Sequence, residues 1–482
     1  MKKQNSRLDE ESGQGQVSTY IDAAAEKSCV RKLDYVLLPF LSLMYFFNSV
    51  DRSNLANAKT DGLDVDLNFV GNEYSLLILL FYVPFGLCDL PLNLLTKKFS
   101  GKVILPILMI CWGSLALLQC AAINFAGLLV IRLLLGACEA GFFAGVVFYL
   151  TLFYKRNELG FRIAIFFGSA LLAAAFSGLI AFGVFQIKSR IEGWKWLFLI
   201  EGGMTVAVGV IAVFWLPGSP ESAWFLNDDE RAAARARSLR DSSKKVNVDF
   251  SMRAAFQTWK DWKFPIWVVI CFTYPVAFST TSNFLPQIVQ RLGYSVVKTN
   301  LWTVAPNSVG FFVLLCIAKS SDHFRERTYY IVLSLVISLI GMIILATIDV
   351  LENKGVAYFA CFMMASGSYV PSCLVHSWHN NNNMDENSRA ANTGFLVGLG
   401  NLAGILSAAT FRKEYAPKYI PTLIATACCN VVCICFVLFL GIWMKRENGR
   451  RNKEQGVNLR AEDIDTDMLP DGERSEHWRY ST

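Results

Sequence analysis

The chain has 482 residues, of which 54% are hydrophobic and only 17% are charged. Soluble proteins usually contain about 25% charged residues, so the composition excludes an ordinary soluble domain and indicates an integral membrane protein. The formal net charge of +6 comes from basic residues spread over separate polar segments, which argues against a nucleic-acid-binding surface.

Apolar runs of roughly 18 to 25 residues, the length that crosses the hydrocarbon core of a bilayer as a helix, recur along the whole chain. They predict an all-α membrane protein with twelve transmembrane helices. The runs lie at 34–52, 72–95, 103–122, 125–153, 163–187, 196–216, 265–288, 301–318, 329–349, 356–378, 391–411 and 421–444.

The longest polar interruption falls between the sixth and seventh runs. It divides the helices into two six-helix bundles, as in two-bundle transporters. Within it, the stretch NDDERAAARARSLR predicts a short amphipathic surface helix. The predicted parts are an N-terminal tail at 1–32, a first bundle at 33–216, a linker at 217–263, a second bundle at 264–444 and a C-terminal tail at 445–482.

The basic residues predict the orientation. Most of the 45 Lys and Arg residues fall in segments on the same side of the predicted membrane as the termini. Because such segments mark the cytoplasmic side, we predict that both tails are cytoplasmic. The N-terminal tail has no apolar core of a signal peptide, so we expect the first helix to act as its own insertion signal. Most of the 13 cysteines lie inside apolar runs, where cysteine behaves as a small hydrophobic residue.

Two charges interrupt the fourth apolar run, in the stretch IRLLLGACEAGFFAGV. Arg132 and Glu139 are seven residues apart and therefore share one helix face. Charged residues inside a membrane are costly and usually functional. The alternative is a structural arginine neutralised by an acid on a neighbouring helix. Other charged or amide residues in or beside the apolar runs of the first half include Asp51, Arg52, Asn54, Asp89 and Glu201.

The second half offers mostly neutral polar and aromatic groups instead: Tyr274, Asn283, Asn307, Tyr369 and His376. Together, the two halves would suit a small anion with an apolar or ring-shaped body. Arginine binds carboxylates through paired hydrogen bonds, and a protonatable carboxylate supplies the coupling to protons. Candidates for a wall that faces the ring are Tyr45, Tyr274 and Trp378, although aromatic residues on membrane helices often serve only packing.

Several longer stretches resemble a known family. They include RKLDYVLLPFLSLMYFFNSVDRSNLANAKTDGL at the first helix, RLLLGACEAGFFAGVVFYLTLFYKRNELGFRIAIFFGSALLAAAFSGLIAFG through the fourth and fifth, and LPGSPESAWFLNDDER in the linker. Over residues 31–445 the chain resembles the anion:cation symporter family of the major facilitator superfamily, and within it the fungal allantoate and nicotinate permease group.

This resemblance implies roles for several of the membrane charges. In organic-anion transporters of the wider family, the patterns R-x-N-L and R-x-L-x-G-x-x-E provide substrate binding and proton coupling. The matching residues here are Arg52, Asn54, Arg132 and Glu139. The resemblance therefore implies that the first three bind the substrate and that Glu139 carries the proton, with Asp51 as the rival for that role.

The resemblance also implies an inner gate. The stretch AKSSDHFRER is similar to the cytoplasmic loop signature of the superfamily, in which Asp322 with Arg325 or Arg327 would lock the inner face. The first-half copy of this signature is reduced to TKKFSGK and lacks the Gly and Asp pattern. Asp89 is the gate candidate on that side.

We therefore predict a secondary active transporter that imports a small organic carboxylate, nicotinate or a related vitamin anion, by proton symport with alternating access at the plasma membrane. Related carriers often have a basic residue on the seventh helix, and its absence from the seventh run here favours a monocarboxylate over a dicarboxylate. The alternatives are an allantoate, pantothenate, biotin or dipeptide permease of the same group, or a transport-silent nutrient sensor.

An enzyme is disfavoured, because the four histidines form only one close pair, His376 and His379, with no acidic partner nearby. We expect no catalytic residues, no metal site, no cofactor and no nucleic-acid partner. The expected partners are an anionic small molecule, protons and the lipid bilayer, with the protein as a monomer.

Overall fold

The protein is described by a computed structural model over residues 23–71, 73–155, 158–241, 251–290, 296–410, 415, 419–461, 463–464, 469 and 475–482. Within these residues, twelve helices are long and apolar enough to cross a membrane, which confirms the predicted fold class. They are α1 (Ala23–Lys59), α2 (Leu76–Phe99), α3 (Gly101–Ala121), α4 (Phe125–Phe153), α5 (Leu159–Phe185), α6 (Gly193–Trp215), α7 (Lys263–Ser282), α8 (Trp302–Phe324), α9 (Thr328–Thr347), α10 (Lys354–Asn381), α11 (Glu386–Ser407) and α12 (Ile420–Gln455).

Some helices are longer than their apolar runs. Helix α1 begins at Ala23, well before its run, and α12 continues to Gln455, well beyond its run. The extension of α12 is polar, and ion pairs along one helix face, such as Arg450 with Glu447 at 2.7 Å, support it. Hydropathy reports the part of a helix that lies in hydrocarbon, so it does not detect a helix that continues into water.

Helices α1–α6 form one bundle and α7–α12 the other. The bundles meet along α2 against α11 and along α5 against α8. The first of these contacts is close: a Cβ added to Gly86 would lie 2.5 Å from Leu402 Cγ, so a larger residue would force the helices apart.

The side on which α1 begins and α12 ends is called the terminal face. A helix of the linker, Asp228–Asp241, lies there against the start of α1. The Glu230 carboxylate accepts hydrogen bonds from Lys32 Nζ at 2.7 Å and Ser28 Oγ at 2.6 Å. These bonds attach the linker helix to the first bundle.

The C-terminal segment, Ser475–Thr482, folds back onto the second bundle at the terminal face. Trp378 Nε1 of α10 donates a hydrogen bond to Ser481 O at 2.9 Å. The backbone N–H of Arg327, in the turn between α8 and α9, donates to Thr482 O at 2.6 Å. The segment thus connects α10 to the loop that resembles a gate.

Candidate functional site

Helix α4 is broken partway across the membrane. Its first half is Phe125–Glu139 and its second half is Phe142–Phe153. Between them Gly141 has a φ of 72°, a left-handed conformation that glycine adopts without strain. The apolar run predicted one continuous helix, and the glycine was the only local signal of the break. Interrupted helices of this kind line binding sites in many transporters.

Glu139, the last residue of the first half of α4, is paired with Arg52 of α1. Arg52 Nε donates to Glu139 Oε2 at 2.9 Å, and Arg52 Nη2 donates to Asn48 Oδ1. Glu139 Oε1 has no hydrogen-bond partner among the described residues. The carboxylate is fully buried, whereas 28% of the Arg52 side chain is exposed. The pair therefore joins a buried acid to a partly exposed cation.

Arg132 lies two turns before Glu139 on the same half-helix but forms no hydrogen bond to it. Its side chain is buried, and its Nε and Nη1 have no hydrogen-bond partner among the described residues. Its guanidinium lies 5.1 Å from the centroid of the Phe81 ring, and that of Arg52 lies 4.7 Å from the Phe85 ring. Buried donors without acceptors are destabilising, so this arrangement favours an anionic ligand at Arg132.

The remaining polar residues of this region face α6. Asp51 Oδ2 accepts a hydrogen bond from Thr205 Oγ1 at 2.9 Å, although Asp51 is adjacent in sequence to Arg52. Asn54 is buried, and its side-chain amide makes no hydrogen bond of good geometry to the described residues. Its polar neighbour is Glu201, whose two carboxylate oxygens are also without such a bond there. Asp51 and Arg52 therefore point to different helices.

An aromatic cluster joins the two bundles beside the α4 break. Tyr45 packs against the rings of the second half of α4 and of α5, at 4.6 Å from Phe166 and 5.8 Å from Phe143. Phe143 also contacts His376 of the second bundle, at 5.8 Å between centroids. Phe167 lies 5.6 Å from Phe278 of α7. Sequence analysis did not single out these phenylalanines, because in an apolar run they are indistinguishable from packing residues.

Tyr274 and Trp378 have different surroundings. The Tyr274 hydroxyl is within hydrogen-bond distance of His376 Nε2, at 2.9 Å, so this tyrosine lies beside the aromatic cluster. Trp378 instead packs on Trp267 at 4.7 Å and bonds to the C-terminal segment at the terminal face. The structure therefore does not bring Trp378 together with the two arginines. His376, one of the polar groups predicted in the second half, is placed in the cluster by α10.

The gate residues form links at the terminal face. Asp322 forms an ion pair with Arg327 through Oδ1, and its Oδ2 accepts the backbone N–H of Phe161 in the first bundle at 2.6 Å. Arg325 lies in the α8–α9 turn with a φ of 57°. A second link joins Lys97 to Glu386, with both side chains at most 9% exposed.

Asp89 is not part of those links. Its carboxylate is buried next to the α4 break, where it accepts the backbone N–H of Gly141 at 2.7 Å. The other oxygen accepts Asn401 Nδ2 of α11 at 2.6 Å. Asp89 therefore contacts both bundles deeper in the membrane than Lys97, which is two turns closer to the terminal face.

The links between the bundles and the Arg52–Glu139 pair lie at different depths in the protein. The links through Asp322 and Lys97 hold the bundles together at the terminal face. Arg52 lies near the opposite end of α1 and its side chain is partly exposed. The structure therefore represents a state in which the bundles are linked at the terminal face.

Comparisons with known proteins agree with this architecture. A family model described as Major Facilitator Superfamily matches residues 41–408. The chain is 63% identical over 471 residues to "Major facilitator-type transporter hxnP" of Emericella nidulans, covering 97% of this chain and 95% of that protein. It is 50% identical over 468 residues to "MFS-type transporter efuF" of Hormonema carpetanum, covering 97% and 94%.

Solved structures show the same fold. The proton:xylose symporter XylE superposes with a TM-score of 0.67 at 12% identity, covering 85% of this chain and 95% of that one. The fucose:proton symporter FucP of E. coli gives a TM-score of 0.58 at 13% identity, covering 83% and 98%. At such identities the likeness concerns the fold alone.

Proposed function

Because the chain belongs to the major facilitator superfamily and is a multi-pass membrane transporter, we propose that it imports a small organic carboxylate by proton symport. The observation that supports this most is the buried guanidinium of Arg132, whose Nε and Nη1 lack hydrogen-bond partners among the described residues. It lies on the same half-helix as Glu139, the acid paired with Arg52. Two cations, one of them paired with a protonatable acid, suit a monoanion and a proton.

The carboxylate would bind first to Arg132. A guanidinium presents two parallel N–H donors that match the two oxygens of a carboxylate. Arg52, whose side chain is partly exposed, would supply a second cation. The aromatic cluster with Tyr45, Phe143 and His376, in which Tyr45 and His376 are buried in this state, would supply apolar rings to pack against the rest of the ligand. The ligand that combines these features is a ring-bearing monocarboxylate, with nicotinate as the best candidate.

Proton coupling would use the Arg52–Glu139 pair. A substrate carboxylate that engages Arg52 competes with Glu139 for the same donors. A buried acid that loses its cation is stabilised by protonation, because that removes an uncompensated charge from a low-dielectric site. Binding of the anion and uptake of the proton would thus favour each other. The rocking of the two bundles would then expose both to the terminal face.

The resemblance to the anion:cation symporter family, and to its allantoate and nicotinate permease group, supports the same substrate class. It also supports a plasma-membrane location, and the excess of Lys and Arg on the terminal face supports cytoplasmic termini. Allantoate, pantothenate, biotin and dipeptides are the substrates that would replace nicotinate within this proposal. A transport-silent sensor would keep the binding site without net flux.

Uptake into proteoliposomes tests the proposal. Labelled nicotinate, allantoate, pantothenate, biotin and a dipeptide are each offered with an alkaline interior, and nicotinamide serves as the matched control because it has the same ring without the carboxylate. We expect accumulation of nicotinate that stops when the pH difference is removed, and none of nicotinamide. Equal uptake of nicotinamide, or binding of nicotinate without any uptake, would contradict the proposal.

A further inference from the structure

Both oxygens of the buried Asp89 carboxylate accept hydrogen bonds, one from each bundle. Oδ1 accepts the backbone N–H of Gly141 at 2.7 Å, and Oδ2 accepts Nδ2 of Asn401 at 2.6 Å. Only 1% of the residue is exposed. The proposed function uses neither bond. One carboxylate therefore connects the break in α4 to helix α11.

The bond to Gly141 supports the broken helix. A helix that is interrupted inside a membrane leaves backbone groups without intrahelical partners, and these must be satisfied by protein. Asp89 provides the acceptor for the N–H that opens the second half of α4. Glu139 ends the first half, two residues earlier. The Asp89 carboxylate thus anchors the backbone two residues after Glu139.

The bond to Asn401 crosses the seam between the bundles. Here α2 and α11 are in close contact, since a Cβ on Gly398 would lie 2.9 Å from Asp89 Cβ, and one on Gly394 would lie 3.1 Å from Asp89 O. Asn401 is one helical turn beyond Gly398. Any change in the angle between the bundles must shift Asn401 relative to Asp89, because this contact has no slack.

We propose that Asp89 is a positioning residue through which the orientation of the bundles controls the geometry of Glu139. In this structure, Asn401 donates a hydrogen bond to one oxygen of Asp89, and the other oxygen accepts the backbone N–H of Gly141 at the α4 break. When the bundles rock, the shift of Asn401 moves this carboxylate and with it the end of the first half of α4. This inference rests on the proposed role of Glu139 in proton coupling.

An exchange of the two side chains tests the link across the seam. Asn401→Asp places two carboxylates face to face, so we expect net uptake to fall at least about tenfold. Asp89→Asn with Asn401→Asp restores one amide and one carboxylate, and its Asn carbonyl still accepts the N–H of Gly141. Uptake by this double variant should recover to within about threefold of the unaltered protein. Asn392→Asp, on the same helix but facing Trp259, is the matched control.

A second measurement separates positioning from simple stability. Asn401→Leu removes the bond across the seam but leaves the Gly141 bond, so we expect KM for substrate to stay within about threefold while the turnover falls about tenfold. Asp89→Ala removes both bonds and should change KM as well. The inference would be overturned if uptake by the double variant were no higher than uptake by Asn401→Asp. Equal changes of KM in Asn401→Leu and Asp89→Ala would also overturn it.

A failure of this inference can be distinguished from a failure of the proposed role of Glu139. If Glu139→Gln leaves proton-driven accumulation intact while the exchange of Asp89 and Asn401 rescues uptake, Glu139 is not the coupling residue and the link across the seam still stands. If Glu139→Gln abolishes accumulation and the exchange fails to rescue, the inference about Asp89 fails alone.

Discussion

Arg52 of α1 donates from Nε to Oε2 of Glu139 at 2.9 Å, across 87 positions of the sequence. The helix spacing had associated Glu139 with Arg132, which shares its half-helix but makes no hydrogen bond to it. The acid thus has a partner on another helix, and the buried Arg132 keeps free donors within the described residues. A substrate carboxylate can therefore engage Arg132 without first breaking an ion pair.

Replacement of Arg132 tests direct binding. If the guanidinium holds the carboxylate through paired hydrogen bonds, Arg132→Lys should weaken affinity nearly as much as Arg132→Ala, by about 10- to 100-fold, since a point charge cannot reproduce the geometry. Equilibrium binding of labelled nicotinate to purified protein measures this, with Arg190→Lys in an exposed loop as the control. Normal affinity in Arg132→Lys would remove Arg132 from the binding site.

The gate prediction concerns Asp322, which joins Arg327 to the backbone of Phe161. Asp322→Asn should weaken closure of the terminal face and lower the rate of uptake about tenfold, while binding from the opposite side changes little. Uptake and binding are measured on the same preparation, with the exposed Asp349→Asn as the control. Loss of binding together with normal turnover would contradict the gate assignment.

The C-terminal segment should stabilise the second bundle. Trp478 is 2% exposed, so Trp478→Ala should lower the free energy of unfolding by about 3–5 kcal/mol. Thermal unfolding in detergent measures the change. The neighbouring His477 is exposed, and His477→Ala should have little effect. Equal unfolding temperatures for the two variants would show that the segment is not docked.

Attachment of the linker helix should depend on pH through Glu230. Burial alone would raise the pKa of this carboxyl, but hydrogen bonds from Lys32, Ser28 and the backbone N–H of Asn227 lower its pKa below the ordinary 4.5. Such a group stabilises the folded state above its unfolded pKa, and this contribution is lost as the pH falls through the lower folded value.

We therefore expect proteolysis of the linker to accelerate on acidification below about pH 4.5. The linker of Glu230→Gln should be cleaved faster than that of the unaltered protein at neutral pH, and acidification should accelerate its cleavage much less. Equal acceleration in the unaltered protein and in Glu230→Gln would contradict the assignment to this carboxyl.

Hydropathy was sufficient for the twelve helices, because each apolar run must cross the same thickness of hydrocarbon. It could not locate the break at Gly141, since a glycine among small residues also fits close helix packing. Nor could helix spacing identify Arg52 as the partner of Glu139, because contacts between helices depend on the packing of the whole bundle. The same holds for Trp378, whose indole bonds to a segment about a hundred residues later.

The central claim is that Glu139 couples anion binding to proton uptake, and Glu139→Gln tests it most directly. Glutamine can still accept the hydrogen bond from Arg52 but cannot release a proton. Accumulation against a gradient and substrate-for-substrate exchange are measured in liposomes with an imposed pH difference, beside Asp51→Asn. We predict that Glu139→Gln retains exchange and loses pH-driven accumulation. Accumulation that persists in Glu139→Gln and disappears in Asp51→Asn would contradict the claim and assign coupling to Asp51.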